Sequence, residues 1–454
     1  MKRTCLRWLA ASSLLIAALG AGGATRPRYG EVLHINTSAA FSALDPAEWG
    51  QAESILRRNI TRLLFETLVV LDEHGAPQPW LADSWSSSGG GTRWQFNLRR
   101  GVTFSDGSSC TVDAAAAALR KVHPDWRVTA QGDGVSIELE SPVVDLPTEL
   151  ALPVNAIVQR GNQLLGTGPF VVARWEAGRR LVLTTRDDYW GSRVFLDTIE
   201  LEMSRTLREQ SIAFGLGRAD IIEIAPELSR HAASEGQKLV TSAPTELMAL
   251  LFARDAQSAG EQKLREALSL SIDRFLISKI LLQNGSDPTG SLLPNWMTGY
   301  GFVFSTGTDP VRAKQLRLEA GQSHGWTLRY ESDDGLARVV AERVSLNARD
   351  AGLSIQTTTA ASADIRLVRV PLISSNGRLA LTGLCSSLGL NPIKLTGPST
   401  ESVYDGENGM LQSRRVIPLL HLRYAWAISP LLQDWSVGRD GSWNLSDVWL
   451  SGKP

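Results

Sequence analysis

Strict alternation of apolar and polar positions is clearest between Arg93 and Phe104. Trp94, Phe96 and Leu98 alternate with Gln95, Asn97 and Arg99, and Val102 and Phe104 resume the pattern beyond Arg100-Gly101. One apolar and one polar face is the mark of a half-buried strand. Gly89-Gly90-Gly91 upstream supplies a permissive turn, so 80–98 reads as a two-strand unit. Ser105-Asp106-Gly107 is a turn of residues that bond their own backbone or accept positive φ. Thr111 then caps an alanine-rich helix with Asp113 in its first turn, where a carboxylate suits the helix dipole.

The same reading extends along the chain. Val32, Leu33 and Ile35 predict a short strand over 31–37. Ile60, Leu63, Leu64 and Leu68 recur at helical spacing and predict a helix over 57–70. Residues 133–140 read as an edge strand, 196–200 as a strand, 247–253 as an apolar strand and 263–280 as an amphipathic helix. The stretch 284–308 is rich in Gly, Pro, Ser and Asn and predicts a long loop serving as hinge or crossover. Asp309-Pro310 opens a helix that stops at Gly321. Strand 326–330, helix 337–351 and strand 352–355 follow, a βαβ unit that calls for a partly parallel sheet.

Residues 1–24 have the form of a secretory signal peptide: Lys2, Arg3 and Arg7, then the apolar run Trp8–Leu19, then Ala21-Gly22-Gly23-Ala24. The apolar run is too short to span a bilayer. Cys5 precedes it, where a lipid anchor cannot attach, so the mature chain is expected to begin near Thr25. The 454 residues allow two or three lobes with real cores, and a net charge of −1 gives no basic excess for nucleic acid. The six histidines are scattered with no metal-ligand spacing, and no nucleophile–base constellation is assigned. No catalytic residue, metal ligand or cofactor is therefore expected. The paired acids Asp187-Asp188 and Asp333-Asp334 are expected to be solvated in turns.

The order of the motifs carries a resemblance. Pro79, Leu81-Ala82, Ser84-Trp85, Trp94, Phe96, Leu98-Arg99, Gly101-Val102, Phe104-Ser105-Asp106-Gly107 and Thr111 follow the wording of the family-5 extracytoplasmic solute-binding proteins, the oligopeptide and dipeptide type that serve ABC importers. Phe65-Glu66-Thr67-Leu68, Gly166-Thr167-Gly168-Pro169-Phe170, Trp175, Gly178, Asp188-Tyr189-Trp190 and Leu196-Asp197 extend it. The resemblance runs from about 31 to 450 and thins after 360. It implies an α/β, two-lobed periplasmic-binding-protein-like fold of class C type, with mixed sheets and a hinge. It implies a first lobe over 31–285 with an inserted subdomain at about 70–180, a second lobe over 286–424, and a C-terminal return over 425–454. Cys110 and Cys385 would then fall in different lobes, as two unpaired, mostly buried thiols. The function implied is binding rather than catalysis. A small-molecule or peptide ligand would sit in an interlobe cleft of a monomer, periplasmic or secreted, that presents it to an ABC permease. The alternative is a degenerate member acting as a sensor or docking partner, favoured by an apparently shortened late lobe.

The resemblance also nominates cleft residues. The loop Phe41-Ser42-Ala43 resembles the family's cleft-bordering loop, and Trp49, Trp296 and Trp426 are the tryptophans nearest the expected cleft. Peptide-binding members carry an acid for the peptide's α-ammonium where this chain has Arg369, Pro371 and Ser374. A buried ammonium without an acid costs several kcal/mol. Unless Glu48 or Glu53 swings in, a neutral or anionic solute is expected, with Arg369 as its partner.

Overall fold

The computed structural model describes residues 27–48, 54–321, 325–395 and 397–451. The expected leader and Trp49 lie outside the described residues. The backbone of the molecule is one mixed sheet of eleven strands. In chain order they are β1 (Val32–Asn36), β2 (Phe170–Glu176), β3 (Arg180–Thr185), β4 (Thr198–Glu202), β5 (Ile221–Ile224), β6 (Lys238–Phe252), β7 (Ser286–Pro288), β8 (Trp326–Arg329), β9 (Ile355–Thr358), β10 (Ile365–Pro371) and β11 (Val416–Ile428). Across the sheet the order is β2-β3-β4-β1-β5-β11-β6-β10-β8-β9, with β7 on β11. β1 pairs in parallel with β4 and β5, and β8 in parallel with β9 and β10.

Two long antiparallel strands tie the halves together. Residues 238–241 of β6 pair with 425–428 of β11, and β5 flanks that end. Residues 246–251 of β6 pair with 416–422 of β11, and β10 flanks the other end. The register shifts at Pro244, between the two ends. Proline cannot donate to a ladder and tolerates such irregular positions. At the far end Met248, Leu250 and Phe252 face one core, with Leu264, Leu268 and Val340, while Leu247, Ala249 and Leu251 face another, with Leu381 and Leu384. Burial on both faces explains the unbroken apolar run there.

The lobe boundary therefore differs from the expectation. Residues 247–285 pack with Leu328, Leu336 and Ile365 in the second lobe. The chain crosses at about 242–245 and 423–424, not at 285. The loop expected as the hinge contributes β7, which pairs with Leu420–Leu422 of β11 well inside the second lobe.

The first-lobe core joins Leu33, Ile35, Leu183 and Ile199 of the sheet to Leu56, Ile60 and Leu63 of helix Ile55–Leu64. That helix ends six residues before the expected 70. Phe65 is extended, and Val69–Leu71 becomes a strand, as β-branched residues favour. The Gly166–Phe170 loop closes the helix C-terminus. Gly168 N–H donates to the Leu64 carbonyl at 3.1 Å, and a Cβ at 168 would lie 2.5 Å from the Leu63 carbonyl oxygen. Close approach, not an unusual φ, is the reason for glycine there.

The inserted subdomain is a four-stranded antiparallel sheet with helix Val112–Val122 on one face. Its order is Ala82–Ser88, Arg93–Leu98, Gly134–Glu138, Arg127–Gln131, so 134–138 is an inner strand rather than the expected edge. Trp94, Phe96, Ala115, Leu119 and Ile137 form its core. Thr111 accepts from Ala114 N–H at 3.2 Å as the cap. Cys110 and Cys385 form no disulfide and lie in the inserted subdomain and the second lobe.

Candidate functional site

A cavity of about 860 Å³ lies between the lobes. Four other pockets measure 240 to 380 Å³. The first lobe lines it with Ser38 after β1, Ser204–Leu207 after β4, and Glu223–Glu227 at the end of β5. The second lobe contributes Glu331 after β8, Asp333–Leu336 at the start of helix Gly335–Asp350, Glu246 of β6 and Arg369 of β10. Arg423–Trp426 of the crossing strand β11 form the wall between them. Each lobe thus turns the carboxyl ends of parallel strands toward the cavity, where open α/β sheets bind ligands.

Carboxylates dominate this lining. Arg369 is held side-on by Glu246, with Nε to Oε1 at 3.1 Å and Nη2 to Oε2 at 2.8 Å, and by Asp334 Oδ2 at 3.0 Å. Burial pulls the Arg369 pKa down, but Glu246 and Asp334 more than offset it and hold the guanidinium above its ordinary value. Asp334 does double duty. Its Oδ1 accepts from Ala337 N–H at 2.9 Å and so caps helix Gly335–Asp350. Glu223 accepts from Thr37 Oγ1 at 2.6 Å, from Ser38 N and Oγ at 2.7 and 2.6 Å, and from Gln210 Nε2 at 3.3 Å. Tyr424 stacks on Trp426 at 6.0 Å, and Trp426 meets Trp435 edge-on at 5.9 Å. Burial, then Glu246, pushes the Tyr424 hydroxyl pKa up, so it stays a neutral hydroxyl.

The structure brings two of the expected cleft residues to this cavity, Arg369 and Trp426. The others lie elsewhere. Phe41 is buried and stacks on Trp175 at 5.2 Å, in the first-lobe core. Ser42 is exposed and Ala43 half-buried beside it. Trp296 donates from Nε1 to the Pro244 carbonyl at 2.7 Å, at the crossing. Pro371 pairs in register with Glu246, and buried Ser374 accepts from Asn376 N–H at 3.1 Å. None of these lines the cavity.

Two expectations are corrected here. Asp333-Asp334 is not a solvated pair, because Asp334 is packed against Arg369 and caps a helix. The cleft does not lack acids: six of its lining residues are carboxylates. They come from Glu223, Glu227 and Glu246 and from the 331–334 turn, not from Glu48; Glu53 lies outside the described residues. Sequence reasoning missed Glu246, although a lone acid opening an otherwise apolar strand is a usable signal. It also passed over Gly321-Gln322-Ser323-His324-Gly325, which is spelled like a nucleophile elbow. That string follows a helix and precedes a strand, the reverse of an elbow's order, and 322–324 lie outside the described residues. Among the described residues no group of three His, Cys, Asp or Glu could hold a metal, and no helix is long and apolar enough to cross a membrane.

The family model for bacterial extracellular solute-binding proteins, family 5 Middle, matches residues 76–371. The chain belongs to this family. This family 5 protein is 24% identical over 340 residues to the nickel-binding periplasmic protein of Escherichia coli (strain K12), covering 64% of this chain and 65% of that one. It is 24% identical over 353 residues to the glutathione-binding protein GsiB of Pectobacterium atrosepticum, covering 71% of this chain and 68% of that one. The matches thus span about two thirds of these relatives' length. The crystal structure of NikA from Brucella suis in complex with Fe(III)-EDTA superposes with a TM-score of 0.78 at 19% identity, over 93% of this chain and 100% of that one. That likeness establishes the two-lobed binding-protein fold.

Proposed function

We propose that this family 5 protein is the extracytoplasmic solute-binding component of an ABC-type importer. It takes a small molecule or peptide into the interlobe cavity and presents it to a membrane permease. The observation that carries the reading is the cavity itself, flanked by the carboxyl ends of parallel strands from both lobes and walled by the strand that crosses between them. With β6 and β11 as the strands that cross among the described residues, the lobes can close on a solute and open to release it. Binding, not bond-making, is then the activity, and the protein works as a monomer without nucleic acid. The relatives' names place them in the periplasm or give them a solute, nickel or glutathione, which supports the same assignment of class.

Export follows from the basic residues, apolar run and small-residue end of 1–24. N-terminal sequencing of the exported protein is expected to read from near Thr25. Small-angle scattering tests the binding function. Adding the solute recovered from native protein should lower the radius of gyration, and an unchanged profile together with no bound solute would refute it.

A further inference from the structure

All three guanidiniums that line the interlobe cavity are already committed. Arg369 is held by Glu246 and Asp334, Arg423 by Asp287 at 2.8 Å, and Arg205 by Glu202 at 2.7 Å. Against these three stand six lining carboxylates. Glu246 and Asp334 hold Arg369 and Glu331 holds Arg329, so among the described residues Glu223, Glu227 and Asp333 are the lining acids with no cation partner. Glu223 is positioned but not neutralised, since every donor to it is uncharged: a threonine and a serine hydroxyl, a backbone amide and a glutamine amide. Glu227 Oε2 is buried and has no hydrogen-bond partner. A carboxylate whose donors are all uncharged, as at Glu223, gains a stronger, charge-assisted bond when a cationic donor reaches it.

Resting on the reading of this cavity as the solute site, we infer that its solute carries a cationic nitrogen, an ammonium or guanidinium. That nitrogen docks against Glu223 and Glu227 on the first lobe, beside the Tyr424–Trp426 aromatic pair. The charge assignment opposes the one drawn from the 369–376 segment, where the chain has an arginine and no acid. The arginine is satisfied within its own lobe, and the acids arrive from other strands. Two helix N-termini, at Leu207 and Gly335, also border the cavity and would ordinarily attract an anion. Both are already served by carboxylates of the protein. Glu209 accepts from Thr206 N–H at 2.8 Å, and Asp334 from Ala337 N–H at 2.9 Å. An anion entering there would meet those acids first. A cationic group instead meets charge-assisted acceptors whose other bonds already fix their geometry.

The test has two arms. In the first, the full chain is purified from its native host without denaturation, and the released small molecules are passed over cation and anion exchangers. In the second, calorimetry at low salt titrates spermidine, agmatine, their N-acetylated forms and glutarate into wild type, Glu223→Gln and Glu227→Gln. A released solute retained on the cation exchanger, or an amine probe weakened about tenfold or more by N-acetylation and by Glu227→Gln, is the expected result. Circular dichroism of the variants keeps misfolding apart from lost affinity. A bound solute that is neutral or anionic, or amine binding indifferent to both substitutions, overturns the charge assignment and leaves solute binding standing. If the native protein releases nothing and no probe binds, both readings fall.

Discussion

Replacing Arg369 by methionine should destabilise the protein even though the residue borders an open cavity. The side chain is 31% exposed, that of Glu246 10% and that of Asp334 22%. Methionine keeps much of the aliphatic stem and removes three hydrogen bonds to carboxylates. Breaking a well-buried ion pair by deleting one partner costs about 3–5 kcal/mol, because the other charge stays buried. Partial exposure of the guanidinium lowers the expected figure to about 2–3 kcal/mol. Asp334 keeps its bond to Ala337 N–H, so the helix cap survives and most of the loss falls on Glu246. Urea unfolding followed by tryptophan fluorescence measures the change. Arg369→Met/Glu246→Gln should recover at least half of the loss, giving a coupling energy of about 1 kcal/mol or more between the two sites. The same single substitution bares Glu246 and Asp334 and should strengthen binding of a cationic probe. A loss under about 0.5 kcal/mol, or full additivity of the two changes, would refute the reasoning.

Three further outcomes follow from other parts of the molecule. Buried Glu66 accepts from Trp80 Nε1 at 2.9 Å, Trp190 Nε1 at 2.8 Å and Tyr189 Oη at 2.8 Å, so Glu66→Ala strands three donors and should cost about 3 kcal/mol or more, read as a fall in thermal midpoint; no fall would count against it. Burial pushes fully buried Glu407 from 4.5 up to about 7. A raised carboxylate pKa means that stability present below about 4.5 is lost as pH rises through 7, on the order of 3 kcal/mol. Glu407→Gln should flatten that slope in unfolding titrations from pH 4.5 to 8, and an unchanged slope would contradict the assignment. Gly75 sits at φ +77° with its Cβ position 2.8 Å from Asn376 Cα, where the inserted subdomain touches the second lobe. Gly75→Val should push the two apart and raise the radius of gyration in scattering, and a superimposable profile would show that the contact does not set the lobe spacing.

Local structure was legible where one face decides it. The alternation of Trp94, Phe96 and Leu98 puts all three in the subdomain core, and the cap at Thr111 follows from its neighbours alone. The crossing of β6 was less so. Its first half, Lys238 to Pro244, mixes polar residues with a proline because it passes from one core to another. Only its apolar second half reads as a strand, and the glycine-rich 284–308 loop draws attention instead, although its β7 segment pairs with β11 inside the second lobe. The cavity was least legible. Its acids come from β5, β6 and the turn after β8, more than 100 residues apart from first to last, and none stands out in its own segment. Phe41 and Trp296 carry the aromatic character expected of a cleft wall, but one fills the first-lobe core and the other bonds the Pro244 carbonyl. Arg369 was read alone because its partners Glu246 and Asp334 lie 123 and 35 positions away.

Native mass spectrometry of the protein purified from its host tests solute binding most directly. Wild type purified without denaturation is expected to carry one small solute per chain. Ala225→Trp, which places a bulky side chain at a half-buried position lining the cavity, should keep the wild-type circular dichroism and carry none. An adduct retained by the filled variant, or no adduct and no solute-induced closure in wild type, would contradict the assignment of this cavity as the solute site.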